Sequence, residues 1–476
     1  MRFSLAIGTP LLLLFSLGCA GEADPGGVRS LRYNEPTNVL LFVAPDVGTT
    51  LGCYGVPGVQ TPRLDMLSRS GVRFEHMYAA SPVQSASRAS LLTGRMPAHL
   101  RASGTEAVAK EVPTWGELFG QAGYRTGLIG DLGIETEKEF PFDYRSGTRG
   151  TDAAIRTAKW HIEALDDFLG ESDDRPWALV VCLQDSRWPF PTDGAPFGHV
   201  DVPPHAPADV SIPHKLIDTP AVREELKRYY DGLRRMDAMV GAVVDRIAAK
   251  GLRRHTVGLF TSDNGSPFPF AKASLYEAGV RVPLIAWGKR VEEGAVRQEL
   301  FAHVDVIPTL LGIASAAKGA PVIPESMTAS LDGETFDYFL GEQRILNEER
   351  RGAPTWRTHV AATLDGHGVE PAIPSQTVRF GKWKYIRTSG AGLRFESRAM
   401  QRSATWRALA SAAELGDTVA TARVKAHVER AEEELYDLAT DPGESINLAT
   451  DSNYAEPLAE GRKLLESSPW LSKTDK

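Results

Sequence analysis

The stretch Ser81-Pro82-Val83-Gln84-Ser85-Ala86-Ser87-Arg88-Ala89-Ser90-Leu91-Leu92-Thr93-Gly94-Arg95 carries the residues best placed to do chemistry. Small and hydroxyl side chains run into Arg88, a short apolar patch follows, and Gly94 closes it. Ser85 or Ser87 is expected to cap a short helix that begins near Arg88 and stops at Gly94. The amino end of a helix offers unpaired amides and a positive dipole end, and Arg88 adds a guanidinium beside it. Holding an oxyanion such as sulfate or phosphate is the chemistry this suits. Two more polar clusters follow apolar runs. Asn38 to Ala44 leads to Pro45-Asp46-Val47-Gly48, and His255 to Thr261 leads to Ser262-Asp263-Asn264-Gly265. Carboxylates and an amide at strand exits are oxygen donors for a hard cation, placed where open α/β sheets bind ligands.

The elements that must position these groups can be read in order. Continuous apolar runs at 38–44, 124–130, 177–183, 255–261 and 282–287 suit strands buried on both faces. Thr61-Pro62 opens a helix through Ser70, and further helices are expected at 114–122, 151–169, 221–250 and 304–314. Alternation of this kind specifies a mostly parallel sheet with helices on both faces. Beyond about residue 345 the texture changes. Thr377 to Arg387 is aromatic and basic, and Glu434-Leu435-Tyr436-Asp437-Leu438 closes a charged helical segment. This half reads as a smaller α+β domain, with residues 391–430 as an Ala/Arg/Glu-rich insertion. The expected division is 36–345 and 346–476.

The chain has 476 residues, 42% hydrophobic and 24% charged, which fits a soluble globular protein of two units. A net charge of -8 argues against nucleic acid as a partner. Three cysteines make no disulfide framework, and Cys53 and Cys182 read as small buried hydrophobes. Residues 1–20 look like an export signal: Arg2, an apolar core from Leu5 to Leu17, then Gly18, Cys19 and Ala20. Ser16-Leu17-Gly18-Cys19 resembles a lipoprotein box, so the expected product is an exported bacterial lipoprotein anchored to the membrane through Cys19. Simple cleavage near Ala20 is the alternative. Residues 21–35, rich in Gly, Pro and charge, read as a tether.

The opening stretch resembles the signature of the formylglycine-dependent (type I) sulfatases, S-P-V-C-S-P-S-R-A-S-L-L-T-G-R. The resemblance extends through Asn38 to Gly55, Thr61 to Phe74, Tyr229 to Gly241, Ser262 to Gly265, Lys272 to Pro283, 379–387 and 434–448. It implies an alkaline phosphatase-like sulfatase fold and a site in which an aldehyde hydrate attacks sulfur. Calcium would neutralise the sulfate oxygens there, and Lys, His and Arg side chains would bind them.

Several of those parts are altered. Gln84 stands where the cysteine that becomes formylglycine should be, so no formylglycine is expected, and an amide cannot act as the nucleophile. Pro45-Asp46 replaces two adjacent aspartates, leaving Asp46, Asp263, Asn264 and the Gln84 carbonyl as a thinned calcium set. Alternatively the two aspartates are bonded to backbone amides and Arg88. In Gly130-Asp131-Leu132-Gly133, Asp131 and Gly133 replace a Lys and a His, and Arg187 replaces a second His. Asp131 and Arg187 are expected to pair across the old sulfate pocket, or else to be unrelated solvated charges. Arg88 and Lys272 are retained and, with Arg187, are the candidate substrate-binding cations. His303 is expected to be structural.

Three functions follow as expectations. One is a pseudo-sulfatase keeping a reduced anion or calcium site. Another is an active hydrolase of sulfuric or phosphoric esters with an atypical nucleophile such as Ser85 or Ser87. The third is a module binding a sulfated glycan, another anionic ligand or a partner protein.

Overall fold

The computed structural model describes residues 36–471 apart from 101–107, 135–139, 148–155, 172, 193–202, 317–319, 342–354, 366–372, 391, 393 and 396–397. The expected signal at 1–20 and tether at 21–35 therefore lie outside the described residues. No helix among the described residues is long and apolar enough to cross a membrane.

Eight strands make the larger sheet: β1 (Asn38–Ala44), β2 (Gly71–Tyr78), β3 (Arg125–Ile129), β4 (Tyr144–Ser146), β5 (Trp177–Cys182), β6 (Thr256–Ser262), β7 (Arg281–Gly288) and β8 (Ala295–Ala302). Their order is β4-β3-β5-β1-β6-β7-β2-β8. All neighbours run parallel except β7, which is antiparallel to β6 and β2. The apolar run of β1 explains its central place. Val39, Leu41 and Val43 enter the core on one face, and Leu40, Phe42 and Ala44 enter it on the other. A strand needs such a run only when helices cover both sides.

Helices α1 (Pro62–Arg69), α2 (Gln84–Thr93), α3 (Trp115–Gln121), α4 (Ala158–Gly170) and α5 (Pro220–Ala249) belong to this layer. α3 opens with a capping box in which Thr114 and Glu117 satisfy each other's backbone amides. A further helix, Val306–Ser315, follows the short 3-10 turn His303–Asp305. β2 and β8 interrupt their apolar residues with Arg, Glu, Gln or His, so neither shows the continuous run that marks a buried strand.

Four antiparallel strands, β9 (His359–Leu364), β10 (Ser375–Phe380), β11 (Trp383–Thr388) and β12 (Glu433–Asp437), form the smaller sheet in the order β12-β11-β10-β9. The Glu434–Leu438 segment, expected to close a helical stretch, is strand β12. Val378, Tyr385 and Leu435 pack beneath the helix Ala455–Ser467. The opposite face, through Val360, Ile386 and Tyr436, meets Tyr78, Phe270 and Tyr276 of the larger unit. Lys384, fully buried, bridges Glu277 at 3.0 Å and Glu444 at 3.6 Å across this junction. The insertion holds the helices Ala404–Glu414 and Thr418–Val428. Glu225 of α5 accepts hydrogen bonds from the Ala404 and Thr405 amides at 2.9 and 2.8 Å, capping the first of these. The chain is thus a mostly parallel α/β unit flanked by helices, with a smaller C-terminal α+β unit.

Cys53 and Cys182 are free thiols. Burial pushes Cys53 up to about 12 and Cys182 up to about 11, so both are protonated and inert.

Candidate active site

β1 and β6 are parallel neighbours in register through Ala44 and Ser262, so their exits deliver Asp46 and Asp263 side by side. The Asp46 amide donates to Asp263 Oδ1 at 3.0 Å. Ser262 Oγ accepts from the Val47 amide at 2.9 Å and donates to the Asn264 carbonyl at 2.8 Å, tying the two loops together. Tyr229 Oη, from α5, donates to the Asp46 carbonyl at 2.8 Å. Asp46 has a φ of 56°, a left-handed conformation that aspartate tolerates better than most residues. Gly48, with φ 55°, comes so close to the Gly265 loop that a Cβ would lie 3.2 Å from the Gly265 Cα.

α2 enters this cluster from β2, and its start differs from the sequence expectation. The helix begins at Gln84, with Val83 as a cap that offers no side-chain bond; neither Ser85 nor Ser87 caps it. Ser87 is instead fully buried, its hydroxyl donating to the Asp263 carbonyl and lying 3.1 Å from His303 Nδ1. That buried carbonyl needs a donor, and supplying one outweighs the serine's preference for a cap. The carboxyl end follows expectation: Gly94 is left-handed, and its amide reaches the Ser90 carbonyl.

With α2 beginning at Gln84, Arg88 sits one turn inside the helix. Its guanidinium is fully buried. Nε bonds Asp263 Oδ2 at 2.9 Å, and Nη1 donates to the Asp131 and Leu132 carbonyls at 3.0 and 3.1 Å. Burial pushes the Asp263 carboxyl above its ordinary range, while Arg88 pulls it back. Lys272 Nζ lies 2.5 Å from Asp46 Oδ1, which also accepts from Asn264 Nδ2 at 2.8 Å. Each retained cation is thus matched to one carboxylate, and the centre is charge-balanced by its own side chains.

Gln84 itself, nearly buried, lies against Gly133. A Cβ on Gly133 would come 2.1 Å from Gln84 Nε2 and 3.2 Å from Arg88 Nη1, and Gly133 has φ 63°. The glutamine amide therefore occupies the space that any side chain at position 133 would need.

Three buried polar atoms here have no hydrogen-bond partner: Asp46 Oδ2, Asn264 Oδ1 and Arg88 Nη2. The two oxygens fit a hard cation and the N–H fits an anion. Against a strong metal site, the described residues contain no group of three or more His, Cys, Asp or Glu side chains able to hold an ion. Asp46, Asp263 and Asn264 come together, whereas Gln84 is turned toward Gly133.

The expected Asp131–Arg187 pair does not form. Asp131 Oδ1 accepts the Gly133 amide at 3.0 Å, so its carboxylate is held by its own turn. Arg187 lies beyond the end of β5 with Arg156, Asp185 and Arg235, and makes no ion pair among the described residues. The structure brings Gln84, Arg88, Lys272, Asp46, Asp263 and Asn264 into one centre and leaves Arg187 outside that cluster of bonds.

His303 was read only as structural, yet its ring bridges Ser87 Oγ and, at 3.3 Å, Thr261 Oγ1 behind the centre. Nothing in the local sequence pairs a histidine with a serine more than two hundred positions away. Burial lowers the His303 imidazole to about 3. Below its unfolded value of 6.5, only the unfolded chain takes the proton. Stability is therefore lost as pH falls from about 6 toward 4, by about 1.4 kcal/mol per pH unit from this residue. Urea unfolding at stepped pH should show that slope, and His303→Asn should reduce it by this amount.

Residues 37–316 match the sulfatase family model. The chain belongs to the sulfatase family. It is 30% identical to human N-sulphoglucosamine sulphohydrolase, over 93% of this chain and 92% of that one. Among solved structures it is similar to a phosphonate monoester hydrolase of Agrobacterium radiobacter, with a TM-score of 0.65, 17% identity and coverage of 90% and 95%. It is likewise similar to a protein solved with its substrate D-glucosamine-2-N,6-O-disulfate, with a TM-score of 0.65, 18% identity and coverage of 93% and 99%. This sulfatase-family chain thus shares the alkaline phosphatase-like fold, and its individuality lies in Gln84, Asp131, Gly133 and Arg187.

Proposed function

We propose that this chain is a pseudo-sulfatase: an exported, Cys19-anchored member of the family that has lost ester hydrolysis and keeps a reduced anion and calcium site. The observation that carries the reading is the Gln84 amide packed against Gly133 at the head of α2. An amide has no hydroxyl to attack sulfur and no aldehyde to regenerate. The nearest buried hydroxyl, Ser87, is spent on the Asp263 carbonyl and has no exposed surface. Arg88 and Lys272, which would stabilise a transferring sulfuryl group, are each engaged by a carboxylate. Parts that act together lose activity together.

Asp46 Oδ2 and Asn264 Oδ1 are the oxygens that would hold calcium, with Asp263 beside them. Bound there, the ion would add the positive charge needed to attract an oxyanion. The test has two arms. The unaltered protein should release no product from aryl sulfate or phosphate esters, with or without calcium. Calcium should raise the thermal midpoint by mass action, and Asp46→Asn should abolish that rise. Turnover that disappears in Ser85→Ala would overturn the silenced reading. An unchanged midpoint would remove calcium from it.

A further inference from the structure

Beyond β5 the chain turns at Gln184, whose carbonyl accepts the Arg187 amide at 3.1 Å, and then presents Arg187 and Trp188. Trp188 is 48% exposed, unusual for the largest side chain and a mark of a contact surface. Arg156 Nη1 donates to the Pro189 carbonyl at 2.9 Å, fastening this loop from the side. Beneath it, Arg235 pairs with Asp185 at 2.9 Å and donates from Nη2 to the Arg156 carbonyl at 3.1 Å.

Three guanidiniums therefore share one buried carboxylate, in a chain whose overall charge is -8. Neither Arg156 nor Arg187 makes an ion pair among the described residues. Burial lowers the Arg156 guanidinium; Asp185 opposes this, while Arg187 and Arg235 add to it. A positive excess beside an open indole face is a recognisable combination. Guanidiniums bind oxyanions through paired N–H groups, and an indole offers a flat apolar platform to a ring.

We propose that Arg187, Arg156 and Trp188 form a retention site for a sugar ring bearing an anionic group. The ring stacks on Trp188 and the anion bridges the two guanidiniums. The proposal rests on the reading of the centre as silenced: with Arg88 and Lys272 matched to Asp263 and Asp46, the ligand's charge is met outside the centre. Sulfate, phosphate and carboxylate share this chemistry.

Calorimetry of the full chain with a sulfated disaccharide, its phosphorylated and uronate counterparts and an uncharged one separates these sources. The sulfated, phosphorylated or uronate sugar should bind and the uncharged one should not, with affinity falling as salt rises. Arg187→Ala and Trp188→Ala should each weaken binding roughly tenfold, a change of about 1.4 kcal/mol. Arg187→Lys should recover part of the loss, and Lys425→Ala, on the insertion, should match the unaltered protein. Thermal midpoints should stay unchanged, since both side chains reach solvent. Equal affinity in Arg187→Ala and Trp188→Ala, or no binding of any charged sugar, would overturn the proposal. Release of inorganic sulfate in the same cell would instead overturn the silenced reading, so the two failures are distinct.

Discussion

Gly133→Ala should destabilise the protein by about 2–5 kcal/mol, although it adds a single methyl group. Part of the cost is conformational: at φ 63° a residue with a Cβ pays roughly 1–2 kcal/mol. The rest is steric, because the new carbon would sit 2.1 Å from Gln84 Nε2, and overpacking typically costs about 1–3 kcal/mol. The two parts separate in a cycle. In a Gln84→Ala background the steric part should vanish and the backbone part should remain, so the same Gly133→Ala step should cost about 1–3 kcal/mol less. An equal cost in both backgrounds would mean that the amide at 84 does not fill the space before 133. The same geometry predicts that Gly133→His, which restores the family's side chain, fails in the native background and is better tolerated beside Gln84→Cys.

Arg88→Met should cost about 3–5 kcal/mol in urea unfolding, since it strips a buried carboxylate of its partner. It also removes the donors that meet the Asp131 and Leu132 carbonyls. The loss should shrink as pH falls, because the unpaired Asp263, already pushed up by burial, takes a proton. Adding Asp263→Asn should recover part of the loss, showing the two residues to be coupled. A cost below about 1 kcal/mol would class the pair with solvent-exposed ion pairs and remove the argument that Arg88 is engaged inside the centre.

Much of this was legible in the residues. The runs at 38–44 and 255–261 have no polar break, which only a strand covered on both sides requires, and their polar exits had to meet if the strands were neighbours. The convergence of Asp46, Asp263 and Asn264 follows from that. β8 was not legible, because a strand at the sheet edge mixes buried and exposed positions, as Ala295 to Ala302 does. β9 was missed as well, although its six residues are mostly buried, because His359 to Leu364 is too short a run to be told from a helix fragment. The helix start was misplaced since Ser87 has a stronger use behind the centre than at a cap. The Asp131–Arg187 pairing failed for a related reason. Spacing tells which loop a charge rides on, but the turn itself, with Gly133 donating to Asp131, decides where the carboxylate points. Trp188 drew no notice because a single aromatic in a loop acquires meaning only once its exposure is known.

The claim on which the account depends is that no group in this chain can accept a sulfuryl group. Prolonged incubation of stoichiometric protein with an activated sulfate ester, followed by intact mass spectrometry and product assay, tests it directly. The account predicts an unchanged protein mass and no alcohol released above the protein-free control. A gain of one sulfuryl group on Ser85 or any other side chain, or alcohol released in proportion to protein, would contradict it.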